Sequence, residues 1–183
     1  MIVAKVYRKL KDIFCQLYMS GSAYARFKGV IVGNNCRIIT KEFGTEPWLI
    51  EIGNNVTITH GVKILTHDGS TWLFNDEKGR RFLYKKVKIG NNVFIGVNSV
   101  IMPGVIIEDK VVIAAGTIVT KSIPKGVIVG GNPVKILGLY EDYEKNVLEN
   151  YVSKENMDFS LSYKNRINKV VDESSKQYIT IDG

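Results

Sequence analysis

Aliphatic residues recur every six positions along the middle of the chain. A small or β-branched residue follows most of them four positions later, as Val93 follows Ile89. The aliphatic positions are Val32 and Ile38, then Ile52, Ile58 and Ile64, then Ile89, Ile95, Ile101, Ile107, Ile113 and Val119. This period matches neither an α-helix nor a simple strand, whose side chains repeat about every 3.6 and 2 residues. The pattern therefore predicts an all-β solenoid, a parallel β-helix built from hexapeptide repeats.

A short polar phrase marks the corners of the predicted coils. An aliphatic residue followed by Gly-Asn-Asn occurs at Val32, Ile52 and Ile89. Asn and Gly accept left-handed backbone angles, which sharp corners require. Residues 39–51 and 68–86 interrupt the period, and interruptions of a solenoid form loops that often line the binding face.

The two ends of the chain depart from the repeat. Residues 2–20 predict an amphipathic helix, because apolar residues from Ile2 to Tyr18 recur at helical spacing. This helix either covers the open end of the solenoid core or lies on a membrane surface. We expect three parts: residues 1–28 as helix and lead-in, 29–137 as solenoid with an inserted loop at about 68–86, and 138–183 as a short C-terminal helix and tail.

Composition narrows the partners. The chain has 183 residues and a net charge of +7, which suits a phosphate-bearing cofactor or an anionic membrane surface. The lysines are dispersed and no recognition motif for nucleic acid is present, so we expect no nucleic-acid partner. No secretory signal or membrane span is expected. The two cysteines, Cys15 and Cys36, are too few for a disulfide framework, which fits a reducing compartment. We expect a cytoplasmic location, either free or at the inner face of the membrane.

Two histidines, His60 and His67, limit the candidate chemistry. With two unclustered cysteines they do not supply the usual zinc ligands, so no metal is expected. His60 falls within an intact repeat at an outward position, where a surface or interface role is the expectation. His67 lies where the repeat ends and the longer loop begins, which suits a general base.

Three segments resemble a known family. The run from Ile64 to Trp72, which contains His67, resembles the catalytic segment of hexapeptide-repeat acyltransferases. Residues 87–138 are similar to the galactoside and maltose O-acetyltransferases, and residues 46–72 to the O-acetyltransferases of capsule and lipopolysaccharide gene clusters. The resemblance implies a left-handed β-helix, acetyl-CoA as acyl donor, a homotrimer with sites at subunit interfaces, and a sugar hydroxyl of a surface polysaccharide or its precursor as acceptor. It also implies that His67 takes the acceptor proton.

Residue by residue, the resemblance also implies the donor contacts. Val97 matches a position that faces the thioester, where some relatives carry serine. Valine has no hydroxyl, so only the backbone N–H of Val97 remains to stabilise an oxyanion. Ala115 matches a contact to the pantetheine arm. Thr120 and Lys121 match contacts further along that arm, and Lys135 matches a basic residue near the adenosine phosphates.

The acceptor contacts are predicted from the longer loop. Asp68 and Trp72 are the candidate substrate-binding residues, since an indole packs on a sugar face and a carboxylate accepts hydroxyl hydrogen bonds. Alternatively, Trp72 anchors the loop on a neighbouring subunit. Residues 38–42 lack the asparagine that relatives acting on small sugars carry there, so those contacts are not carried over. A xenobiotic acetyltransferase and a non-catalytic β-helix scaffold remain alternative functions.

Overall fold

The computed structural model describes residues 2–178. The chain divides into two compact units, with the boundary between Asp142 and Tyr143. Fifteen strands are present in the described residues. In chain order they are β1 (Ile31–Val32), β2 (Arg37–Ile38), β3 (Ile50–Ile52), β4 (Thr57–Ile58), β5 (Lys63–Ile64), β6 (Asn75–Asp76), β7 (Gly79–Arg80), β8 (Val87–Ile89), β9 (Val93–Ile95), β10 (Val100–Ile101), β11 (Ile106–Ile107), β12 (Val111–Ile113), β13 (Ile118–Val119), β14 (Val127–Gly130) and β15 (Lys135–Leu139).

Most of these strands form three parallel sheets that the chain visits in turn. Sheet A has the order β1-β3-β8-β11, sheet B runs β2-β4-β9-β12-β14 with β15 added antiparallel, and sheet C has the order β5-β10-β13. Lys88 pairs with Ile106, Val93 with Val111 and Val100 with Ile118, so each coil of the regular part contains 18 residues. The first coil is longer, since Ile31 pairs with Glu51, and the coil that contains residues 68–86 is longer again. The predicted breaks in the period are thus the two places where a coil carries extra residues.

The core lies between the three sheets and consists of the predicted repeat positions. Ile58, Ile95 and Ile113 have no exposed surface, and the other aliphatic positions from Ile38 to Val119 are also buried. The small or β-branched residues four positions after them are also buried, as at Val56 and Val93. Cys36 is only partly buried against the core. The six-residue prediction of the core is therefore confirmed.

Asparagine side chains join neighbouring coils at one corner. The backbone N–H of Asn34 donates to the Oδ1 atom of Asn54, and that of Asn54 donates to the Oδ1 atom of Asn91, each over 2.8 Å. A second column connects the side chains of Asn55 and Asn92, also at 2.8 Å. Both have positive φ angles, 60° and 55°, which asparagine tolerates better than most residues. The repeated phrase therefore forms hydrogen-bonded corners.

Two helices precede the first strand, where we predicted one. Helix α1 (Ile2–Tyr18) ends close to the expected position, and α2 (Gly21–Lys28) begins after Ser20, whose side chain accepts a hydrogen bond from the backbone N–H of Ala23. Tyr24 and Ala25 of α2 are buried in the core. The interpretation that the apolar stripe of the first helix covers the core end is wrong, because α2 fills that place and the described apolar residues of α1 between Val6 and Tyr18 are exposed.

The C-terminal part contains short helices joined by irregular segments. The predicted helix is α3 (Tyr140–Asn150), and it carries no buried residue. A 3-10 turn at Lys154–Asn156 and helix α4 (Tyr163–Asn168) follow. Within the second unit, the Arg166 guanidinium lies over the rings of Phe159 and Tyr163, at 4.7 and 5.5 Å from their centroids. No helix among residues 2–178 is long and apolar enough to cross a membrane.

Candidate active site

The backbone around His67 is fixed by the two ends of the longer loop. The backbone N–H of Lys85 donates to the carbonyl of Thr66 over 2.8 Å, and that of Asp68 donates to the carbonyl of Leu83 over 3.1 Å. His67 itself lies opposite Tyr84 in an antiparallel bridge. His67 therefore lies three residues after the end of β5, where backbone hydrogen bonds join the two ends of the longer loop.

A carboxylate from the other break in the period holds the imidazole. The Nδ1 atom of His67 lies 2.8 Å from the Oε2 atom of Glu46. The hydroxyl of Thr66 donates to the same oxygen over 2.8 Å, and the hydroxyl of Thr45 donates to Oε1 over 2.6 Å. Pro47, next to Glu46, is buried and fixes that part of the loop. The carboxylate thus receives hydrogen bonds on both oxygens.

These contacts determine the protonation of the pair. Burial favours the neutral carboxyl, but the hydrogen bonds from Thr45, Thr66 and His67 outweigh it, so the pKa of Glu46 lies below its ordinary value. An ionised carboxylate only accepts, so Nδ1 of His67 carries the proton. The lone pair of the ring is then on Nε2, the atom that a general base uses. The Glu46 side chain is 15% exposed and that of His67 is 41% exposed, so the imidazole is accessible to a substrate.

A cavity of about 330 Å³ lies beside His67. Its walls are mostly apolar, with one hydroxyl from Thr120. The lining residues are Leu65, His67, Asp68, Gly69, Leu83, Met102, Pro103 and Thr120. An apolar cleft with a few polar groups at one end is the usual form of a small-molecule site.

The other predicted donor contacts lie elsewhere in the chain. Val97 and Ala115 follow β9 and β12, at the corner between sheets B and C, where the backbone N–H of Gly116 donates to the Val97 carbonyl over 2.7 Å. His60 is exposed, as predicted, and occupies the same corner, since its carbonyl accepts from the backbone N–H of Asn98. His67 and Thr120 lie at the following corner, after sheet C. One chain therefore brings only Thr120 into the cavity of His67.

The two predicted lysine contacts are both exposed. Lys121 follows Thr120 at the corner after β13, and Lys135 begins β15, where it pairs with Gly130.

Among residues 2–178, no group of three histidine, cysteine or acidic side chains is arranged to hold a metal ion.

Asp68 is engaged in shaping the loop. Its Oδ1 atom accepts hydrogen bonds from the backbone N–H and the hydroxyl of Ser70, over 2.9 and 2.7 Å, and so caps the 3-10 helix Gly69–Leu73. These two bonds, and the nearby imidazole, hold the pKa of Asp68 below its ordinary value. The carboxylate predicted to bind substrate therefore has one oxygen committed to the loop.

A row of stacked side chains leads from His67 along the loop. The Arg80 guanidinium lies 4.4 Å from the ring centroid of Trp72 and 4.6 Å from that of Phe82. Phe82 stacks on Tyr84 at 6.3 Å, and Tyr84 lies 6.1 Å from the imidazole. The three aromatic residues of this row are 53–69% exposed. We call Trp72, Arg80, Phe82 and Tyr84 the aromatic row.

Of the aromatic row only Trp72 was predicted as a site residue; Glu46, Phe82 and Tyr84 were not. The sequence carried one signal for Glu46, because it lies in the first break of the period and is 20 residues before Thr66, one coil of the longer kind. A search of the first break for acidic residues about one such coil before His67 includes it, since 21 residues separate Glu46 from His67. No comparable signal pairs Arg80 with Trp72, since that contact depends on the hairpin formed by β6 and β7.

Comparisons with known proteins agree with this architecture. The sequence profile described as hexapeptide repeat of succinyl-transferase matches residues 86–121. Protein CapG of Staphylococcus aureus is 46% identical over 146 residues, which cover 77% of this chain and 85% of CapG. The galactoside O-acetyltransferase of Escherichia coli strain K12 is 36% identical over 101 residues, covering 55% of this chain and 49% of that enzyme. The solved structure of a hexapeptide-repeat acetyltransferase from Vibrio cholerae has a TM-score of 0.51 at 26% identity, over 61% of this chain and 63% of that one.

Proposed function

We propose, from the premise that the chain belongs to the hexapeptide-repeat acyltransferase family, that it is an O-acetyltransferase which transfers the acetyl group of acetyl-CoA to a sugar hydroxyl. The observation that carries the proposal is the His67–Glu46 contact of 2.8 Å at the mouth of an apolar cavity. The proposed winding of the three sheets is that of a left-handed parallel β-helix, which the family resemblance implies. The free cysteines and the thioester donor favour a cytoplasmic location.

In the proposed reaction His67 is the general base. Its Nε2 atom takes the proton of the acceptor hydroxyl while the hydroxyl oxygen bonds to the thioester carbonyl carbon. The carbon–sulfur bond breaks, and the departing thiolate receives the proton that Nε2 holds, so the ring returns to its starting state. Glu46 is a positioning residue, because its carboxylate keeps the proton on Nδ1 and stabilises the transient imidazolium.

Donor binding would combine two corners of the solenoid. Thr120 faces the cavity beside His67, and we propose Lys121 and Lys135 for the nucleotide end of the donor. Val97 and Ala115 lie at the corner on the other side of sheet C. A site that uses both corners needs a second copy of the chain, which supports a closed homotrimer with three equivalent interface sites.

The acceptor side of the site would be the longer loop. The exposed indole of Trp72 offers an apolar face for a sugar ring, and Asp68 retains one carboxylate oxygen for a hydroxyl. The galactoside O-acetyltransferase among the relatives supports a sugar acceptor. The resemblance of residues 46–72 to capsule and lipopolysaccharide O-acetyltransferases favours a surface polysaccharide or its precursor.

The test is an acceptor screen with acetyl-labelled acetyl-CoA and the full chain. Sugars, oligosaccharides and amine-bearing antibiotics serve as acceptors, and the product is analysed by mass spectrometry and by its sensitivity to mild base. An acetyl ester on a saccharide is the expected result. An acetyl group on an antibiotic, as an ester or an amide, would replace the acceptor class, and absence of transfer to any acceptor would favour the scaffold.

A further inference from the structure

Helix α1 packs on the protein through the side that carries Asp12 and Cys15. The Asp12 carboxylate accepts hydrogen bonds from the hydroxyl of Tyr24 at 3.1 Å and from the ammonium of Lys28 at 3.0 Å. Cys15 and Met19, one and two turns further along the same side, pack against the core. The side of α1 that faces α2 therefore carries Asp12 and Cys15, and Met19 follows directly after the helix.

The opposite side of α1 is apolar and exposed. Its exposed fractions range from 42% at Ile13 to 75% at Tyr18. The residues of this apolar face are Val6, Tyr7, Leu10, Ile13, Phe14, Leu17 and Tyr18. Their spacings of one, three and four residues place them on one side of a helix. An amphipathic helix of a globular protein normally packs through its apolar side, so this orientation is reversed and calls for an apolar environment outside the chain.

Basic side chains border the apolar face. At about 100° per residue, Lys9 and Lys11 fall near its two edges, and both are exposed. With Lys28, Asp12 and Phe27 they line a surface concavity of about 520 Å³ beside the helix. Asp12 is the single acidic residue of α1, and its charge is already paired with Lys28. The rim of the apolar face is thus positively charged.

We propose that α1 binds the surface of an anionic lipid bilayer. The apolar face would lie among the acyl chains, and Lys9 and Lys11 at its two edges would contact lipid phosphates. Phe14 and Tyr18, whose ring centroids are 4.6 Å apart, add aromatic surface of the kind that favours the bilayer interface. The lysines on both edges favour a bilayer over a protein partner, because they match a plane of phosphates on either side of a helix that lies flat.

The proposal is tested by sedimenting the full chain with vesicles. Phosphatidylcholine vesicles with and without phosphatidylglycerol are compared at low and high salt. We expect binding to the anionic vesicles at least about tenfold tighter than to neutral ones, and weaker binding as salt rises. Leu10→Glu with Leu17→Glu should abolish binding, and Lys9→Glu with Lys11→Glu should weaken it at least about tenfold. Leu148→Glu, at an equally exposed leucine of α3, is the matched control and should bind as the unmodified chain does.

Three results would overturn the proposal. One is no binding of the unmodified chain to either vesicle. Another is unchanged binding of the Leu10/Leu17 variant. The third is a changed sedimentation coefficient of the Leu10/Leu17 variant in the absence of lipid, together with unchanged vesicle binding. That result would make the apolar face a contact between copies of the chain. Transfer of acetyl to a water-soluble acceptor should be equal in all these variants, so failure of bilayer binding and failure of the proposed function are separately visible.

Discussion

Replacing Glu46 tests whether the carboxylate acts through His67. Its two oxygens accept from the imidazole and Thr66 at 2.8 Å and from Thr45 at 2.6 Å. Glu46→Gln keeps one accepting oxygen but removes the charge, whereas Glu46→Ala removes the acceptor and frees the ring to turn. A hydrogen bond to a charged group contributes about 1.5–3 kcal/mol, and about 1.4 kcal/mol corresponds to tenfold in rate.

Exposure of the imidazole sets where in that range the effect falls. Because 41% of the His67 side chain is exposed, water screens part of the interaction. We expect kcat to fall about tenfold for Glu46→Gln and about 100-fold for Glu46→Ala. The KM values for donor and acceptor should stay within about twofold, because the carboxylate supports the base and does not bind substrate.

The assay is the initial rate of thiol release from acetyl-CoA in the presence of acceptor, with each substrate varied. Glu51→Gln is the control, since Glu51 is also ion-paired, with Lys86 and Lys88, and lies outside the cavity of His67. A kcat within twofold of the unmodified chain in both Glu46 variants would refute the reasoning. Equal losses in Glu51→Gln would point to a general charge effect instead.

The same pair has a pH signature in stability. The pKa of Glu46 is lower in the folded protein than its ordinary value of 4.5, so the folded state binds this proton less readily. Its stabilisation is therefore complete above pH 4.5 and is lost as the pH falls through the lowered pKa. The difference in melting temperature between the unmodified chain and Glu46→Gln should accordingly be larger at pH 7 than below pH 4.5, as thermal unfolding followed by circular dichroism would show. A constant difference across that range would contradict it.

Three other expectations concern the loop, the core and the assembly. Trp72→Ala should raise the KM for the sugar about tenfold and leave the KM for acetyl-CoA unchanged, and Trp72→Phe should retain most of the sugar affinity. Equal losses for both substrates, or a changed mass of the assembly, would favour an anchoring role for Trp72. Ile95→Ala should lower the unfolding free energy by about 2–5 kcal/mol, against less than about 1 kcal/mol for the neighbouring, outward Phe94→Ala, as measured by urea unfolding. Sedimentation velocity should give a trimer, and a fully active monomer at micromolar concentration would exclude the interface site.

The core was predictable because its signal is local and repeated. Each coil places the same kind of residue at the same position, so Ile95 and Ile113 are assigned by counting, whatever the loops do. Glu46 was not predictable in this way. Its contact with His67 crosses coils, and the extra residues of the first break decide which side chain arrives opposite the imidazole.

The packing of the N-terminal helix could not be predicted from its sequence for a different reason. Periodicity in residues 2–20 reveals an apolar stripe but does not say what covers it. The structure fills the solenoid end with Tyr24 and Ala25 of α2, a helix that carries too short an apolar pattern to be recognised. The apolar residues of α1 between Val6 and Tyr18 are left exposed as a result.

The proposed role of His67 as the base for acetyl transfer can be measured directly. The direct measurement is kcat for His67→Ala, with His60→Ala as the comparison, using the acceptor found in the screen and saturating acetyl-CoA. We expect a loss of roughly 100- to 10,000-fold for His67→Ala, with an unchanged circular dichroism spectrum, and a change within about twofold for His60→Ala. Near-normal turnover of His67→Ala, with the loss found in His60→Ala instead, would contradict it.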